Sequence, residues 1–270
     1  METQKNLELR PSIINQIEIN QLKGKTKIMT TITKIIASTI LAMLMLSCDF
    51  GINIGPGVSG NGNVVTDQRP LNESFNEIKV SRGLDVYLTQ SDHQSIEVEA
   101  DENLQEIIVT EVRNNVLEIY ADENIRRSES KKVYVNFKSI ERISSSSGSD
   151  VYSTNTITAN SLDLSTSSGS DMELIIDTDK VTCDSSSGSG LKLSGTTNSL
   201  HAEASSGSDI RAGDLTAMSS EVRASSGADV TVNTTKELFA KASSGGDIKY
   251  YGNPEKVHKS DGVSGSIRQN

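Results

Sequence analysis

The sequence contains no tryptophan, and phenylalanine and tyrosine together supply only 4 % of its 270 residues. Such a composition is unlike that of an enzyme built around a large aromatic core. The chain also lacks an excess of positive charge, with a formal net charge of −10. Residues 1–47 hold six basic and three acidic side chains, so about −13 remains on the rest of the chain. This surface would repel phosphate backbones, and nucleic acid is not an expected partner.

Long apolar runs are absent as well, because the most apolar stretch, Ile35 to Ser47, is too short to span a membrane. Basic residues precede it (Lys34 and the cluster Lys23, Lys25, Lys27), and a cysteine, Cys48, follows it. A charged segment, a short apolar segment and a small residue before the cut predict a secretory signal. Residues 1–28 are unlike any signal, so we expect translation to start at Met29.

The end of this segment, Leu44-Met45-Leu46-Ser47-Cys48, resembles a bacterial lipoprotein signal. The resemblance implies that Cys48 is the lipid attachment site and the first residue of the mature chain. An ordinary signal peptide, or an N-terminal anchor with an incidental cysteine, is the alternative. We therefore interpret residues 1–47 as leader, 48–60 as a flexible, glycine-rich tether and 61–270 as the folded domain.

The sequence contains only two cysteines, Cys48 and Cys183. If Cys48 carries lipid, no disulfide is expected within the chain. Cys183 lies in a column of apolar residues, and its pattern favours a small buried side chain over a catalytic thiol.

What the sequence has in abundance is one repeated pentapeptide. It begins with Ser146-Ser147-Gly148-Ser149-Asp150 and recurs five times, with successive glycines 21, 19, 19, 20 and 18 residues apart. This period is typical of solenoids. The turn glycines are Gly148, Gly169, Gly188, Gly207, Gly227 and Gly245, and the turn aspartates are Asp150, Asp171, Asp209, Asp229 and Asp247, with Gly190 in the aspartate position of the third copy.

Apolar and polar residues alternate on both sides of each glycine. Inward columns are predicted three and five positions on either side, for example Val151 and Ile143 in the first copy. Strand pairs of this kind can bury their apolar faces only by stacking on one another. The sequence therefore predicts an all-β protein, a right-handed parallel β-helix with coils of roughly 20 residues. We expect the glycines to have positive φ or to sit too close to the next coil for a Cβ.

The region before the repeats is also predicted to be β, but less regular, and to cap or begin the same stack. Short β-branched segments recur there, and Asn114-Asn115 predicts a turn between two of them.

Several elements together resemble the putative auto-transporter adhesin, head GIN domain family. They are the serial serine turns, Gly62-Asn63-Val64-Val65, Phe75-Asn76-Glu77-Ile78, Leu84-Asp85-Val86-Tyr87-Leu88, Tyr250-Tyr251-Gly252-Asn253-Pro254 and Ser264-Gly265-Ser266-Ile267. The resemblance covers roughly residues 60 to 270. It implies a β-helical fold and a cell-envelope location, and it brings no catalytic residues.

The aspartate column has two interpretations. Stacked carboxylates would repel each other, and bound calcium would relieve that repulsion. Calcium-binding β-rolls, however, carry several aspartates per turn, whereas each turn here has one. We therefore predict that the aspartates accept backbone hydrogen bonds in the turns, and we expect no cofactor and no metal.

Two functions of different class remain open. One is a non-catalytic envelope lipoprotein, expected in the outer membrane, that binds a glycan or a protein in an adhesin-like role. The other is a glycan-processing enzyme on a β-helix, which would need clustered charged residues in a cleft. Lys192 and Arg211, on adjacent coils, could neutralise an acidic sugar, although the mixed residues of their column favour an ordinary solvated face. The three histidines, His93, His201 and His258, fall in unrelated segments, and no nucleophile motif or metal-ligand spacing is present.

Overall fold

The computed structural model describes residues 57–262 and 264–270, and this part of the chain is almost entirely β-structure. Its one helical element is a 3₁₀ turn, Glu102–Leu104, and it contains no helix long and apolar enough to cross a membrane. Cys48, Met29, the predicted leader and most of the predicted tether lie outside the described residues.

Nineteen strands are described. Those before the first serine turn are β1 (Val58–Ser59), β2 (Val64–Arg69), β3 (Glu77–Ser81), β4 (Asp85–Gln90), β5 (Ser95–Asp101), β6 (Ile108–Arg113), β7 (Val116–Ala121), β8 (Ile125–Arg127) and β9 (Lys131–Phe137). Those that follow are β10 (Arg142–Ser146), β11 (Asp150–Ser153), β12 (Ile157–Ser167), β13 (Asp171–Ser185), β14 (Gly190–Ala204), β15 (Asp209–Ala224), β16 (Asp229–Ala242), β17 (Asp247–Tyr251), β18 (Lys256–Asp261) and β19 (Ser266–Gln269).

From β10 onward the strands wind into a β-solenoid of about seven turns with roughly 19 residues per coil. Each coil pairs in parallel with the next, and the register keeps equivalent repeat positions aligned, so that Asp171 pairs with Gly190 and Gly190 with Asp209. The parallel β-helix predicted from the repeat is confirmed.

Two consecutive left-handed residues make each serine turn. Ser147 has φ +56° and Gly148 has φ +69°, and the same pair of conformations occurs at all six copies. The positive φ predicted for the glycines is therefore confirmed. The N–H of Gly169 donates to the carbonyl of Ser187 in the next coil (3.2 Å), so the hydrogen-bonded ladder continues through the turns.

The serine after the glycine closes the turn from inside. Ser170 Oγ accepts the N–H of Ser167 (3.2 Å), and its hydroxyl donates to the carbonyl of Ser145 in the previous coil (2.9 Å). Ser208 makes the equivalent bonds with Ser205 and Ser185. These buried serines therefore cap the turns from inside, while on the outside the Asp150 carboxylate accepts a hydrogen bond from the backbone N–H of Asp171 in the next coil. The hydroxyl is shorter and points into the coil, whereas the carboxylate at the next position points outward.

The columns predicted to face inward form the core. Val151, Leu191 and Ile210 are at most 1 % exposed, the other members of these columns are at most 4 % exposed, and Ser153 is the one member that is only half-buried. At the corner before each turn the interior narrows to Ser, Thr or Ala. The hydroxyls there are paired, for example Thr166 Oγ1 to Ser185 Oγ at 2.9 Å. Cys183 is fully buried and free, as predicted.

The N-terminal region begins the stack, but not in chain order. Strands β3 and β4 form a coil whose turn contains Arg82 (φ +64°) and Gly83 (φ +78°). The first serine-turn coil, β10 and β11, lies on one side of it, and β7 and β9 pair in parallel with its other side. Antiparallel strands β2, β5 and β6 then cover that end, with the predicted Asn114-Asn115 turn joining β6 to β7. The antiparallel strands protect the open edge of the solenoid.

The glycine-rich composition predicts a tether up to residue 60, whereas the structure shows an ordered strand from Val58. Val58 N–H donates to the carbonyl of Asn124 (2.8 Å), and Gly60 N–H to that of Arg127 (2.7 Å). Asp101, 1 % exposed, explains why glycine is needed here, because a Cβ on Gly60 would overlap its carboxylate. Gly57 and Gly60, the tether glycines that the structure describes, therefore serve close packing rather than flexibility.

Candidate binding face

The outward side of the strands that follow the turns carries the predicted site residues. We call this surface, formed by β9, β4, β11, the first halves of β13 to β16, and β17, the post-turn face. Its first column holds Lys132, Asp85, Asp150, Asp171, Gly190, Asp209, Asp229 and Asp247, and its second holds Tyr134, Tyr87, Tyr152, Glu173, Lys192, Arg211, Thr231 and Lys249.

Three tyrosines from separate segments form a stacked ladder on this face. The ring centroids of Tyr87 and Tyr134 are 5.2 Å apart, and those of Tyr87 and Tyr152 are 5.4 Å apart. All three side chains are half-buried. Burial, followed by the charge of Glu99, raises the pKa of Tyr134, and burial with the charge of Asp150 raises that of Tyr152. The phenols therefore stay neutral, and the ladder acts as a fixed aromatic surface.

Beside the tyrosines, carboxylates stack in the first column. Burial and then the charges of Asp85 and Asp171 raise the pKa of Asp150. Lys131 balances part of this charge, with its Nζ 3.8 Å from Asp85 Oδ1 and a hydrogen bond to the carbonyl of Gly83. Among the described residues, no group of three or more His, Cys, Asp or Glu side chains could hold a metal ion.

The two cations of the second column are already paired. Lys192 Nζ lies 2.8 Å from Glu173 Oε1, and Arg211 contacts Asp209 Oδ2 at 2.6 Å. The proposed neutralisation of an acidic sugar by Lys192 and Arg211 would therefore compete with two carboxylates. The structure brings the two cations onto adjacent coils, as the register predicts.

A notch of about 240 Å³ opens at Gly190, where the aspartate column is interrupted. It lies between Asp171 and Asp209, and its polar lining also includes Tyr152, Glu173, Lys192 and Arg211. A Cβ on Gly190 would overlap Asp171 Oδ1, so the carboxylate of Asp171 uses the space that a side chain would occupy. The glycine that stands in the aspartate position of this repeat therefore makes room for the Asp171 carboxylate.

The remaining predicted candidates lie elsewhere. His201 is on the opposite side of the turns, where its ring contacts Glu203 (3.2 Å) and Glu221 (3.6 Å), and Arg223 bridges the same two glutamates. His258 stacks on Phe239 with centroids 4.4 Å apart. Burial, then the charges of Asp184 and Asp163, strongly raises the pKa of the Cys183 thiol, which keeps it protonated and inert.

Comparison with family models connects this architecture to known proteins. Residues 74–254, more than half of the chain, match the model described as putative auto-transporter adhesin, head GIN domain. The chain belongs to this family. The resemblance found in its sequence is confirmed, and no curated protein was found to match.

Solved structures of similar proteins share the fold. A putative adhesin from Bacteroides fragilis is 24 % identical with a TM-score of 0.74, over 79 % of this chain and 100 % of that chain. A putative lipid binding protein from Parabacteroides distasonis is 24 % identical with a TM-score of 0.66, over 79 % and 99 %. A putative adhesin from Parabacteroides merdae is 19 % identical with a TM-score of 0.64, over 79 % and 98 %. At this identity the likeness establishes the fold, and ligands do not transfer with it.

Proposed function

We propose that the protein is a non-catalytic lipoprotein of the bacterial cell envelope, anchored in the outer membrane through Cys48, that binds a glycan or a protein in an adhesin-like role. Membership of a family described as adhesin-like carries this proposal. The charged leader, the short apolar run and Cys48 support the lipid anchor.

The geometry supports a binding role for the post-turn face. Parallel stacking places equivalent side chains of successive coils next to each other, which gives an elongated surface on rigid strands. The tyrosine ladder and the notch at Gly190 are the two places where this surface departs from simple repetition. A ligand would find fixed groups there, and little ordering entropy would be lost on binding.

Lipid attachment can be tested by growing a bacterial host with labelled palmitate. The parent protein should be labelled and Cys48→Ala should not, because only the thiol at the end of the apolar run is placed to accept diacylglycerol. Cys183→Ala is the matched control and should be labelled like the parent. Labelling that persists in Cys48→Ala would refute the anchor.

The binding role can be tested with purified protein carrying Cys48→Ala, screened against glycans and against cell-surface proteins. Both binding and cleavage of the glycans should be followed. Binding without cleavage is expected, whereas turnover of any glycan would favour the alternative, a glycan-processing enzyme.

A further inference from the structure

We infer that the notch at Gly190 binds a single sugar ring that carries no negative charge. This rests on the proposed function and names the ligand class of the same face. Four observations support it: the glycine floor, the mixed charges of the walls, the aromatic ring of Tyr152 at one end and the volume.

The floor of the notch is Gly190, which stands where the other copies of the repeat have aspartate. The flanking carboxylates, Asp171 and Asp209, belong to the coils on either side, and Gly190 adds no side chain to the space between them, part of which the Asp171 carboxylate occupies. A carboxylate in place of the Gly190 hydrogen would fill the notch and displace Asp171. Glycine here is not demanded by the turn, because the left-handed residues of that turn are Ser187 and Gly188.

The walls offer both donors and acceptors. The pair Glu173–Lys192 and the pair Asp209–Arg211 each bring a cation and a carboxylate, while Asp171 takes part in neither pair. An ammonium has three donors, a guanidinium five, and each carboxylate about four acceptor sites, so one ion pair leaves most of them free. A hydroxyl group both donates and accepts, and adjacent hydroxyls on a ring match such walls.

The balance of charge decides between kinds of sugar. Three carboxylates and two cations line the notch, so an anionic ligand meets a net negative charge and cations that are already neutralised. This contrasts with the sequence-based idea that Lys192 and Arg211 bind an acidic sugar. Neutral hexoses and N-acetylated amino sugars fit, whereas uronic acids do not.

Tyr152 supplies an apolar wall. Tyr87 stacks on one side of its ring, and on the other side, beside Glu173 of the next coil, Tyr152 lines the end of the notch. The C–H face of a sugar ring packs on such a surface. The volume of about 240 Å³ is below the roughly 300–1,000 Å³ of sites for drug-sized ligands, which indicates one ring rather than a chain.

The test uses saturation-transfer NMR with methyl glycosides as probes. The protein is the mature chain, residues 48–270 with Cys48→Ala, and the described part of it corresponds to the full length of a solved relative. The probes are methyl glucoside, methyl galactoside, methyl N-acetylglucosaminide and methyl glucuronide. At least one of the first three should bind, and glucuronide should bind at least tenfold more weakly.

Two variants locate the site. Gly190→Asp restores the repeat residue and should weaken binding tenfold or more. Its melting temperature should stay close to that of the parent, because the displaced Asp171 carboxylate is the end of a flexible side chain. Lys249→Gln, in the same column but two coils beyond Arg211, should leave the affinity within twofold.

Failure of this inference can be told apart from failure of the proposed function. Sugar binding that Gly190→Asp leaves unchanged, or a preference for glucuronide, overturns the notch assignment and leaves a glycan-binding role. Binding of a cell-surface protein without any sugar also overturns the inference and retains the adhesin-like role. No binding in either screen would count against both.

Discussion

Gly207 provides a quantitative test of how the serine turns are built. Its φ is +70°, and a Cβ added to it would have nothing within 4 Å. Of the two reasons that the sequence suggests for a glycine, positive φ is therefore present and close approach of the next coil is not. A substitution here is opposed by backbone conformation alone, which costs an L-residue about 1–2 kcal/mol.

The cost should therefore depend on the type of side chain. Gly207→Ala should lower the free energy of unfolding by about 1 kcal/mol, and Gly207→Val by about 2 kcal/mol, because β-branched residues are rare at positive φ. Gly207→Asn should cost less than about 1 kcal/mol, because asparagine tolerates this region. This is a smaller penalty than one would expect if the next coil blocked the site.

Gly195 in β14 is the matched contrast. It also has positive φ (+110°), but a Cβ there would overlap the backbone carbonyl of Ile176 in the neighbouring coil. Overpacking adds about 1–3 kcal/mol to the conformational penalty, so Gly195→Ala should cost about 2 kcal/mol more than Gly207→Ala. Urea denaturation followed by circular dichroism measures both. Equal costs for the two alanine variants, or for Gly207→Asn and Gly207→Val, would refute this account of the turns.

Two further predictions concern charged groups. Burial raises the pKa of Asp101, but the N–H groups of Ser130, Gly62 and Glu129 outweigh it and hold that pKa below its usual value. The stabilisation is therefore present above about pH 3.9 and is lost as the pH falls through the folded-state pKa. Asp101→Asn should cost about 2 kcal/mol at pH 7 and progressively less as the pH falls below about 3.9 in urea titrations, and a cost that does not change with pH would contradict this. For the aspartate column, calcium at a hundredfold excess over its dissociation constant would stabilise by about 2.7 kcal/mol. We expect less than one degree of difference in melting temperature between millimolar calcium and chelator, and a clear rise that Asp209→Asn abolishes would reverse that expectation.

The solenoid could be predicted because its signals are local and repeated. Alternation around Gly148 and the fixed spacing of later copies determine strand, turn and register together. The first coil, β3 and β4, could not be predicted in this way, because β5 to β9 separate it in the sequence from the second coil, β10 and β11. Its signal is nevertheless visible, because Gly83-Leu84-Asp85-Val86-Tyr87 shares glycine, aspartate, valine and tyrosine with Gly148-Ser149-Asp150-Val151-Tyr152.

The roles within each turn could not be separated by residue type. Ser168 adopts the left-handed conformation, whereas Ser170, two positions later, is buried and caps the turn. Serine suits both positions, so composition alone leaves the two roles equivalent. The tyrosine ladder could not be predicted for a different reason, which is that its order in the stack differs from its order in the sequence. Tyr87 comes first in the chain, but in the stack it lies between Tyr134 and Tyr152.

Stability and recognition place different demands on a repeat. A position that only stabilises the stack, such as the left-handed glycine, has the same backbone conformation from coil to coil, and glycine occupies it in all six copies of the pentapeptide. A ligand contacts only a few coils and needs groups that the other coils do not present. The post-turn face has such groups where tyrosines replace charged residues and where Gly190 replaces aspartate. Interruptions of the repeat that leave the register intact are therefore the positions at which to look for binding in solenoids of this kind.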